Sequence, residues 1–369
     1  MVICIDSRKP GTRGIYTYIN NLLKKIIEID NENKYLILTD INHPSWNLKN
    51  VEEIPVPSLN PIYWFFWSNT VLPKIIKDKK VDIYHSLKHI TAFLIKAKKI
   101  VTIHGIHSHY FSPQYYKWYD TLYWKMMLKL AEKSYDKILT VSENEKNFFV
   151  NNLKYSESKF SITYLGVDEK FKIIDNKSKL IEIKNKYNLP DKFFFFAGQI
   201  DPIKNIKNMI MAFYSATLNK ETDFKLVLAG NDKNKFADKM KFLVKELKIE
   251  NEVIFLGYIS DDLKYIYNLA EAYLFLSKSE CFGLAALEAM ACGLPIIASN
   301  IPEMKELVSE AGILVDPDKV SKISEAIEKI LSDADLRLYM GQKSLKRAEI
   351  FSWENCAKKT LGIYEELFI

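Results

Sequence analysis

The sequence predicts an α/β protein with two parallel sheets in two domains. Short apolar segments typical of buried strands alternate with helix-forming segments, and the alternation starts again near residue 193. Strands that alternate with helices favour parallel sheets covered by helices. The length of 369 residues also exceeds what one ordinary hydrophobic core accommodates. We therefore expect domains at residues 1–168 and 169–352, and a final helix within residues 353–369.

Six strands are predicted in the first domain, each from a short run of apolar residues bounded by polar or turn residues. They cover residues 2–5, 35–38, 82–85, 100–103, 137–141 and 161–164. Segments rich in helix formers predict helices at residues 15–29, 116–134 and 143–151.

The second domain is predicted to begin after a lysine- and asparagine-rich connector that ends near residue 190. Its predicted strands cover residues 193–197, 225–229, 253–256, 272–276, 295–298 and 313–315. Helices are predicted beyond residue 319, the last of them at 353–367.

The composition predicts a folded protein of a reducing compartment. The chain is 48% hydrophobic and 27% charged, and its four cysteines are scattered without paired spacing. This spacing argues against a disulfide framework or a zinc site. The first residues lack the pattern of a secretory signal, so export is not expected. The uncharged stretch 54–73 contains four prolines, so it is not expected to span a membrane. We expect a cytoplasmic protein.

Basic residues are concentrated in the first domain. Residues 1–170 contain 24 lysines and arginines against 17 acidic residues, and the whole chain has a net charge of +6. Several of these lysines surround aromatic runs at 63–67 and 115–119. This pattern is typical either of core aromatics beside a solvated surface or of peripheral contact with the inner face of an anionic membrane. Nucleic acid is not expected as a partner, because no recognition motif accompanies the charge.

The most informative stretch is 277–295, in which a strand end and a turn lead into a helix. That helix is apolar except for Glu288. A carboxylate inside an enclosed helix is costly unless it is hydrogen-bonded. Glu288 therefore needs either a buried lysine or arginine, or the hydroxyls of a bound ligand.

A second acid, Glu280, lies eight residues earlier in the turn. Between the two acids the helix N-terminus offers backbone N–H groups near Phe282, Gly283 and Leu284, which suit an anion. The helical rise places Glu288 roughly 7 Å along the axis from the first turn, about the distance from a phosphate to the ribose of one nucleotide. This element is therefore predicted to hold a sugar hydroxyl, a diphosphate and a ribose in that order.

These residues resemble the donor site of the GT4 family of retaining glycosyltransferases, whose E-x7-E pattern Glu280 and Glu288 reproduce. The family has Gly and Pro where this chain has Cys281 and Ala285, and Cys281 lacks the backbone freedom of glycine. The resemblance implies the GT-B fold, with two Rossmann-like domains facing across a cleft and the final helix crossing back onto the first domain. It also implies a UDP- or GDP-sugar donor, retention at the anomeric carbon, and no metal or other cofactor.

A further segment, from Gly198 to Asn205, follows the first predicted strand of the second domain. A glycine turn with Lys204 at a helix start is typical of a phosphate cradle, although a lone lysine is more often solvated. GT4 enzymes carry a similar Gly-x-x-x-Pro-Arg-Lys-Asn segment, which implies donor contacts for Gly198, Gln199, Lys204 and Asn205. The chain has Ile203 and Gln199 where the family often has arginines, which lowers the positive charge expected there.

Four other positions are assigned by the resemblance. Gly14 lies where the family has a glycine-rich loop, and Tyr258 and Ile259 are placed to meet the base. His104 follows a predicted strand and is expected to hydrogen-bond the transferred sugar, with Gly105 where the family has an acid. The alternative for His104 is a structural histidine whose hydrogen bonds are satisfied within the protein. Five of the six histidines fall within residues 85–109, but their spacing does not put three on one face, and no metal site is expected.

Two other interpretations remain open. A nucleotide-dependent oxidoreductase would share the first strand and turn, although no Gly-x-Gly-x-x-Gly is present. A non-catalytic paralogue that binds sugar or partners another transferase is consistent with Gln199 and Gly105. For the transferase, the expected acceptor is a glycan or a lipid-linked saccharide in surface polysaccharide or glycoconjugate synthesis.

Overall fold

The computed structural model describes residues 1–8, 13–40, 50–57, 59, 61–88, 90–105, 118–218 and 220–369. They form two compact units. Unit 1 comprises Met1–Gly166 and Trp353–Ile369, and unit 2 comprises Val167–Ser352. Each unit contains a parallel sheet with helices around it, which confirms the predicted α/β class.

Among the described residues, the sheet of unit 1 comprises seven parallel strands. They are β1 Val2–Asp6, β2 Lys34–Thr39, β3 Val51–Pro55, β4 Ile83–Ser86, β5 Lys98–Ile103, β6 Lys137–Thr140 and β7 Phe160–Ile162. Their order in the sheet is β3-β2-β1-β4-β5-β6-β7. The six predicted strands are confirmed to within a few residues. The edge strand β3 is not predicted, because it is only partly buried and carries Glu52 and Glu53 in place of an apolar run.

The sheet of unit 2 has six parallel strands. They are β8 Lys192–Ala197, β9 Phe224–Ala229, β10 Val253–Gly257, β11 Ala272–Phe275, β12 Ile296–Ser299 and β13 Gly312–Val315. Their order is β10-β9-β8-β11-β12-β13, so the order reverses between β8 and β11. Ligands of open parallel sheets bind beyond the carboxyl ends of the strands at such a reversal.

Helices cover both sheets. They are α1 Arg13–Ile29, α2 Pro61–Thr70, α3 Leu72–Asp78, α4 Trp118–Ser134, α5 Glu143–Asn147, α6 Lys177–Lys186, α7 Ile206–Thr217, α8 Lys235–Glu246, α9 Leu263–Leu269, α10 Leu284–Ala291, α11 Pro302–Val308, α12 Val320–Ser332, α13 Ala334–Ala348 and α14 Trp353–Phe368. The helix predicted at 143–151 is α-helical only to Asn147 and continues as a π-helical turn. Across the described ranges, no helix is both long enough and apolar enough to cross a membrane.

The last helix, α14, follows unit 2 in the chain but packs on α1 in unit 1. Its Tyr364 hydroxyl lies 2.7 Å from Nδ1 of the buried His85, and His85 Nε2 lies 2.9 Å from the Thr102 hydroxyl. Tyr18 of α1 reaches the same threonine hydroxyl at 3.0 Å. The return of the final helix to the first unit agrees with the predicted fold.

We expect unit 1 to lose stability as the pH falls from 7 to 5. Burial, and then the nearby His104, lower the pKa of His85 to about 3, and burial lowers the pKa of His104 to about 4. Unfolding restores an ordinary histidine pKa near 6.5, so the unfolded chain binds more protons in this range and the free energy of unfolding decreases. All six tryptophans lie in the segments of unit 1, so tryptophan fluorescence during urea denaturation reports on this unit.

The matched variant is His85→Gln combined with His104→Gln. It should be less stable at pH 7 but should show a flatter dependence on pH between 7 and 5. An unchanged slope in this variant would assign the effect to other groups.

Candidate active site

The candidate site lies at the reversal of strand order in unit 2. The segment after β8 runs from Gly198 to Asn205, and the segment after β11 leads to the start of α10. A backbone hydrogen bond joins the two segments, since the Lys278 N–H donates to the Ile203 carbonyl at 2.8 Å. The predicted phosphate cradle and the E-x7-E element therefore share one edge of the sheet.

Lys204 and Glu280 form an ion pair across these two segments. The Lys204 Nζ lies 2.5 Å from Glu280 Oε1, and the side chains are only 21% and 12% exposed. The Asp201 carboxylate accepts a hydrogen bond from the Lys204 backbone N–H at 3.0 Å, which fixes the turn that contains Lys204. Burial acts to lower the pKa of Lys204, but the charge and hydrogen bond of Glu280 outweigh it, so this pKa lies above its ordinary value. The lysine is thus held in its charged form.

Gly283 sets the turn that starts α10. Its φ of +100° lies in the region that favours glycine, and a Cβ there would lie 2.5 Å from Cε of Met304. The positive φ falls on this glycine and not on Cys281, so the cysteine does not need glycine's backbone freedom. Phe282 is buried with its ring against Phe351, with ring centroids 5.6 Å apart, so its backbone alone can face a ligand. The first N–H groups of α10 begin at Leu284.

Glu288 is half-buried on α10 and contacts a buried phenol. The Tyr267 hydroxyl of α9 donates to Glu288 Oε2 at 3.3 Å. Burial, and then the charge of Glu288, raise the pKa of Cys292 to about 12. Tyr267 also packs against Tyr273 of β11, with ring centroids 5.5 Å apart, and the Tyr273 hydroxyl donates to the Ala197 carbonyl at 2.9 Å. Two tyrosines thus connect Glu288 with the end of β8.

The other predicted donor residues of unit 2 have mixed surroundings. Gln199 is exposed beyond β8, whereas the Asn205 amide is buried and donates to the Pro317 carbonyl at 2.7 Å. Asn205 also adopts a left-handed φ of +59° between the lysine turn and α7. Tyr258, which is 64% exposed, and Ile259, which is buried, both follow β10. Strand β10 lies two strands from β8 in the sheet, so the ends of β10 and β8 are about 10 Å apart. Their donor contacts remain predictions.

In unit 1, His104 lies directly after β5. Its Nε2 is 2.9 Å from the Leu87 carbonyl, which assigns the proton to Nε2, and its ring contacts Tyr18 at a centroid distance of 4.6 Å. With a pKa near 4, it is a neutral imidazole at pH 7. Gly105 follows with φ of +66°, a conformation that an acid in this place would rarely adopt.

Gly14 is exposed in the first turn of α1, and a Cβ there would meet nothing within 4 Å. Residues 9–12, which precede Gly14, and the histidines at 89, 107 and 109 lie outside the described residues. Within the described part of the chain, no group of three or more His, Cys, Asp or Glu is placed to hold a metal ion.

Comparisons with known proteins find family matches in both units of the chain. Residues 178–347 match the family Glycosyl transferases group 1, and residues 30–171 match Glycosyltransferase Family 4. The chain belongs to the family 4 glycosyltransferases. O-antigen chain mannosyltransferase B of Escherichia coli is 29% identical to it over 294 residues, which are 79% of this chain and 76% of that protein.

Solved structures show the same fold. A glycosyltransferase of Rickettsia africae ESF-5 superimposes with a TM-score of 0.80 at 22% identity, covering 99% of this chain and 98% of that one. Anabaena Alr3699/HepE in complex with UDP and glucose gives a TM-score of 0.78 at 16% identity, covering 99% and 100%. The predicted GT-B architecture is confirmed for this glycosyltransferase.

The site of this glycosyltransferase borders a glycine that the resemblance does not assign to the donor. Gly230 follows β9, and a Cβ there would lie 1.9 Å from the Gly198 carbonyl oxygen. The Gly198 N–H donates to the Ala229 carbonyl at 2.9 Å, and the Gly230 N–H donates to the Gly257 carbonyl at 2.8 Å. Three adjacent strands thus end in glycines whose backbones touch. A glycine after each of three predicted strands is the sequence signal for this arrangement.

We expect Gly230→Ala to destabilise unit 2, because a methyl group cannot fit beside the Gly198 carbonyl without moving the turn. Overpacking of this kind costs about 1–3 kcal/mol. The control is Gly362→Ala in α14, where a Cβ meets nothing within 4 Å and the change should stabilise the helix by up to about 1 kcal/mol. Urea denaturation followed by circular dichroism measures both effects. Equal effects of the two substitutions would contradict the steric argument.

Proposed function

We propose that this glycosyltransferase moves a sugar from a UDP- or GDP-sugar to a hydroxyl of a glycan or lipid-linked saccharide, with retention at the anomeric carbon. The strongest support comes from one edge of the sheet in unit 2. The Lys204–Glu280 ion pair lies at this edge together with the start of α10, the helix that carries Glu288. Mannose is the sugar that we propose first, because a relative that covers most of the chain is a mannosyltransferase. Surface polysaccharide synthesis in the cytoplasm is the proposed setting.

In this mechanism the diphosphate leaves with growing negative charge. Lys204 carries a positive charge at this edge, and the first N–H groups of α10 carry partial positive charges. They would therefore stabilise the growing negative charge most in the transition state. We propose that they do so without a metal ion. The departing phosphate would take the acceptor proton on the same face of the sugar, which gives retention.

Glu280 is proposed to position the sugar rather than to attack it. In the structure its carboxylate is engaged by Lys204. A donor would supply hydroxyl groups to Glu280 and phosphate oxygens to Lys204, so both charges would keep hydrogen-bonded partners when the ligand enters. The ion pair thus keeps both side chains ready at the site in the absence of donor.

Lys204→Ala should lower kcat by about 10²–10³-fold, the typical cost of losing one group aimed at developing negative charge. The matched control is Lys278→Ala in the neighbouring segment, whose ammonium pairs with the 69% exposed Asp318 at 2.5 Å. Release of UDP or GDP from the donor, with a glycan acceptor, measures the rate. Equal rates for the two variants would remove Lys204 from the mechanism. A wild-type protein that binds donor but neither transfers nor hydrolyses it would instead support the non-catalytic paralogue.

Glu288→Gln should weaken binding of the nucleoside diphosphate roughly tenfold or more, because a hydrogen bond to a charged group contributes about 1.5–3 kcal/mol. Isothermal titration with UDP and with GDP, without magnesium, measures the affinity. Glu325→Gln is the control, since Glu325 is an exposed acid of α12 that pairs with Lys322. If Glu288→Gln keeps full affinity for both nucleotides, the ribose assignment is wrong.

A further inference from the structure

The strand order in the sheet of unit 1 also reverses, between β1 and β4. Strands β2 and β3 lie on one side of this position, and β5, β6 and β7 lie on the other. Open parallel sheets bind ligands beyond the carboxyl ends of the strands at such a reversal. Unit 1 therefore has a candidate binding edge of its own, formed by the segments that follow β1, β4 and β5.

Lys88 lies at this edge, shortly after the end of β4. The backbone of the preceding residue, Leu87, is held on both sides. Its N–H donates to the Asp6 carbonyl at 3.3 Å, and its carbonyl lies 2.9 Å from His104 Nε2. Asp6 ends β1 and His104 follows β5, so these contacts fix the backbone at Lys88 between the ends of the two neighbouring strands.

Asp6, the acidic residue at the end of β1, is engaged by other groups. Its Oδ1 accepts from Arg8 Nε at 2.7 Å, and its Oδ2 accepts from Arg8 Nη2 at 2.6 Å and from the Tyr84 hydroxyl at 2.8 Å. Both Asp6 and Arg8 are buried, and the guanidinium lies over the Trp64 ring, 3.0 Å from its centroid. Asp6 therefore compensates the charge of Arg8 rather than that of Lys88.

Lys88 is a half-buried lysine without a counter-charge in the part of the chain that the structure describes, where its ammonium group forms no hydrogen bond or ion pair. Burial, and then the charge of Arg8, lower its pKa below the ordinary value. The sequence also contains no aspartate or glutamate in residues 7–27 and 83–119, which include the segments after β1, β4 and β5. A half-buried charge is costly without a partner, so Lys88 favours an anionic ligand.

We propose that Lys88 binds a phosphate group of the acceptor, so that the acceptor is a saccharide with a phosphate close to the hydroxyl that receives the sugar. This inference rests on the proposed function, in which Lys204 and α10 of unit 2 hold the diphosphate of the donor. An anion at the edge of unit 1 would then belong to the other substrate. The phosphate is placed close to the accepting hydroxyl because His104, the expected partner of the transferred sugar, contacts the residue before Lys88.

Residue-resolved labelling of lysines with acetic anhydride, followed by mass spectrometry, tests the anion site on the wild-type protein. Inorganic diphosphate is the probe, and sodium chloride at equal ionic strength is the reference. A bound anion raises the pKa of a lysine and covers its amine, so labelling of Lys88 should slow roughly tenfold. The control is Lys98, which is exposed at the opposite end of β5 and should react equally fast in both solutions. Unchanged labelling of Lys88 would overturn the proposal.

Sugar transfer to matched acceptors tests the substrate class. Mannose and N-acetylglucosamine are each offered as the octyl glycoside, as the octyl phosphodiester and as the free 1-phosphate. The better of the two phosphorylated forms should exceed the octyl glycoside in kcat/KM by roughly 10–100-fold, the contribution of one hydrogen bond to a charged group. Preference for the phosphodiester would indicate a lipid-linked source of the phosphate, and preference for the free 1-phosphate a soluble one. Either preference supports the site.

Two variants assign the preference to one side chain. Lys88→Gln should bring the ratio between phosphorylated and neutral acceptors close to one, whereas Lys98→Gln should keep the wild-type ratio. The same ratio in both variants would remove Lys88 from acceptor binding.

The outcomes separate this inference from the proposed function. If the neutral glycosides accept sugar as fast as the phosphorylated forms, the transferase function stands and the inference fails. If UDP or GDP alone slows the labelling of Lys88 as strongly as diphosphate does, the anion belongs to the donor and the inference also fails. If neither nucleotide binds but diphosphate still protects Lys88, the proposed function fails and the anion site of unit 1 stands.

Discussion

The ion pair between Lys204 and Glu280 is the interaction on which the candidate site depends. Two charges that are mostly removed from water can persist only if each compensates the other. Since one follows β8 and the other follows β11, their attraction fixes the two segments on either side of the strand reversal. The turn bonded to Asp201 and the backbone hydrogen bond from Lys278 support the same geometry.

A second constraint connects the helix of Glu288 with the sheet. The Glu288 carboxylate accepts a hydrogen bond from the Tyr267 hydroxyl, and the Tyr267 ring packs on Tyr273. The Tyr273 hydroxyl donates a hydrogen bond to the last carbonyl of β8. The tyrosines are fully buried, so their hydroxyls must find partners inside the protein, and these partners include the groups that border the site. The position of Glu288 relative to Gly198 is therefore determined by packing and not by the loop alone.

Most of the fold is predictable from the sequence because its strands are short, apolar and regularly separated by helices. The edge strand β3 escapes prediction because its glutamates resemble a loop, and the π-helical turn after Asn147 has no signal that distinguishes it from a longer helix. Glu280, Glu288 and Lys204 can be selected from spacing and residue type. The contacts of Glu288 with Tyr267 and of Gly198 with Gly230 arise from tertiary packing, so the sequence alone does not show them.

The final helix has a consequence for biosynthesis. Unit 1 contains the first 166 residues, yet the buried His85 of its sheet finds one of its partners in Tyr364, which leaves the ribosome after the whole of unit 2. A nascent chain therefore carries an incomplete first unit while the second is being made, with part of the surface of α1 still uncovered.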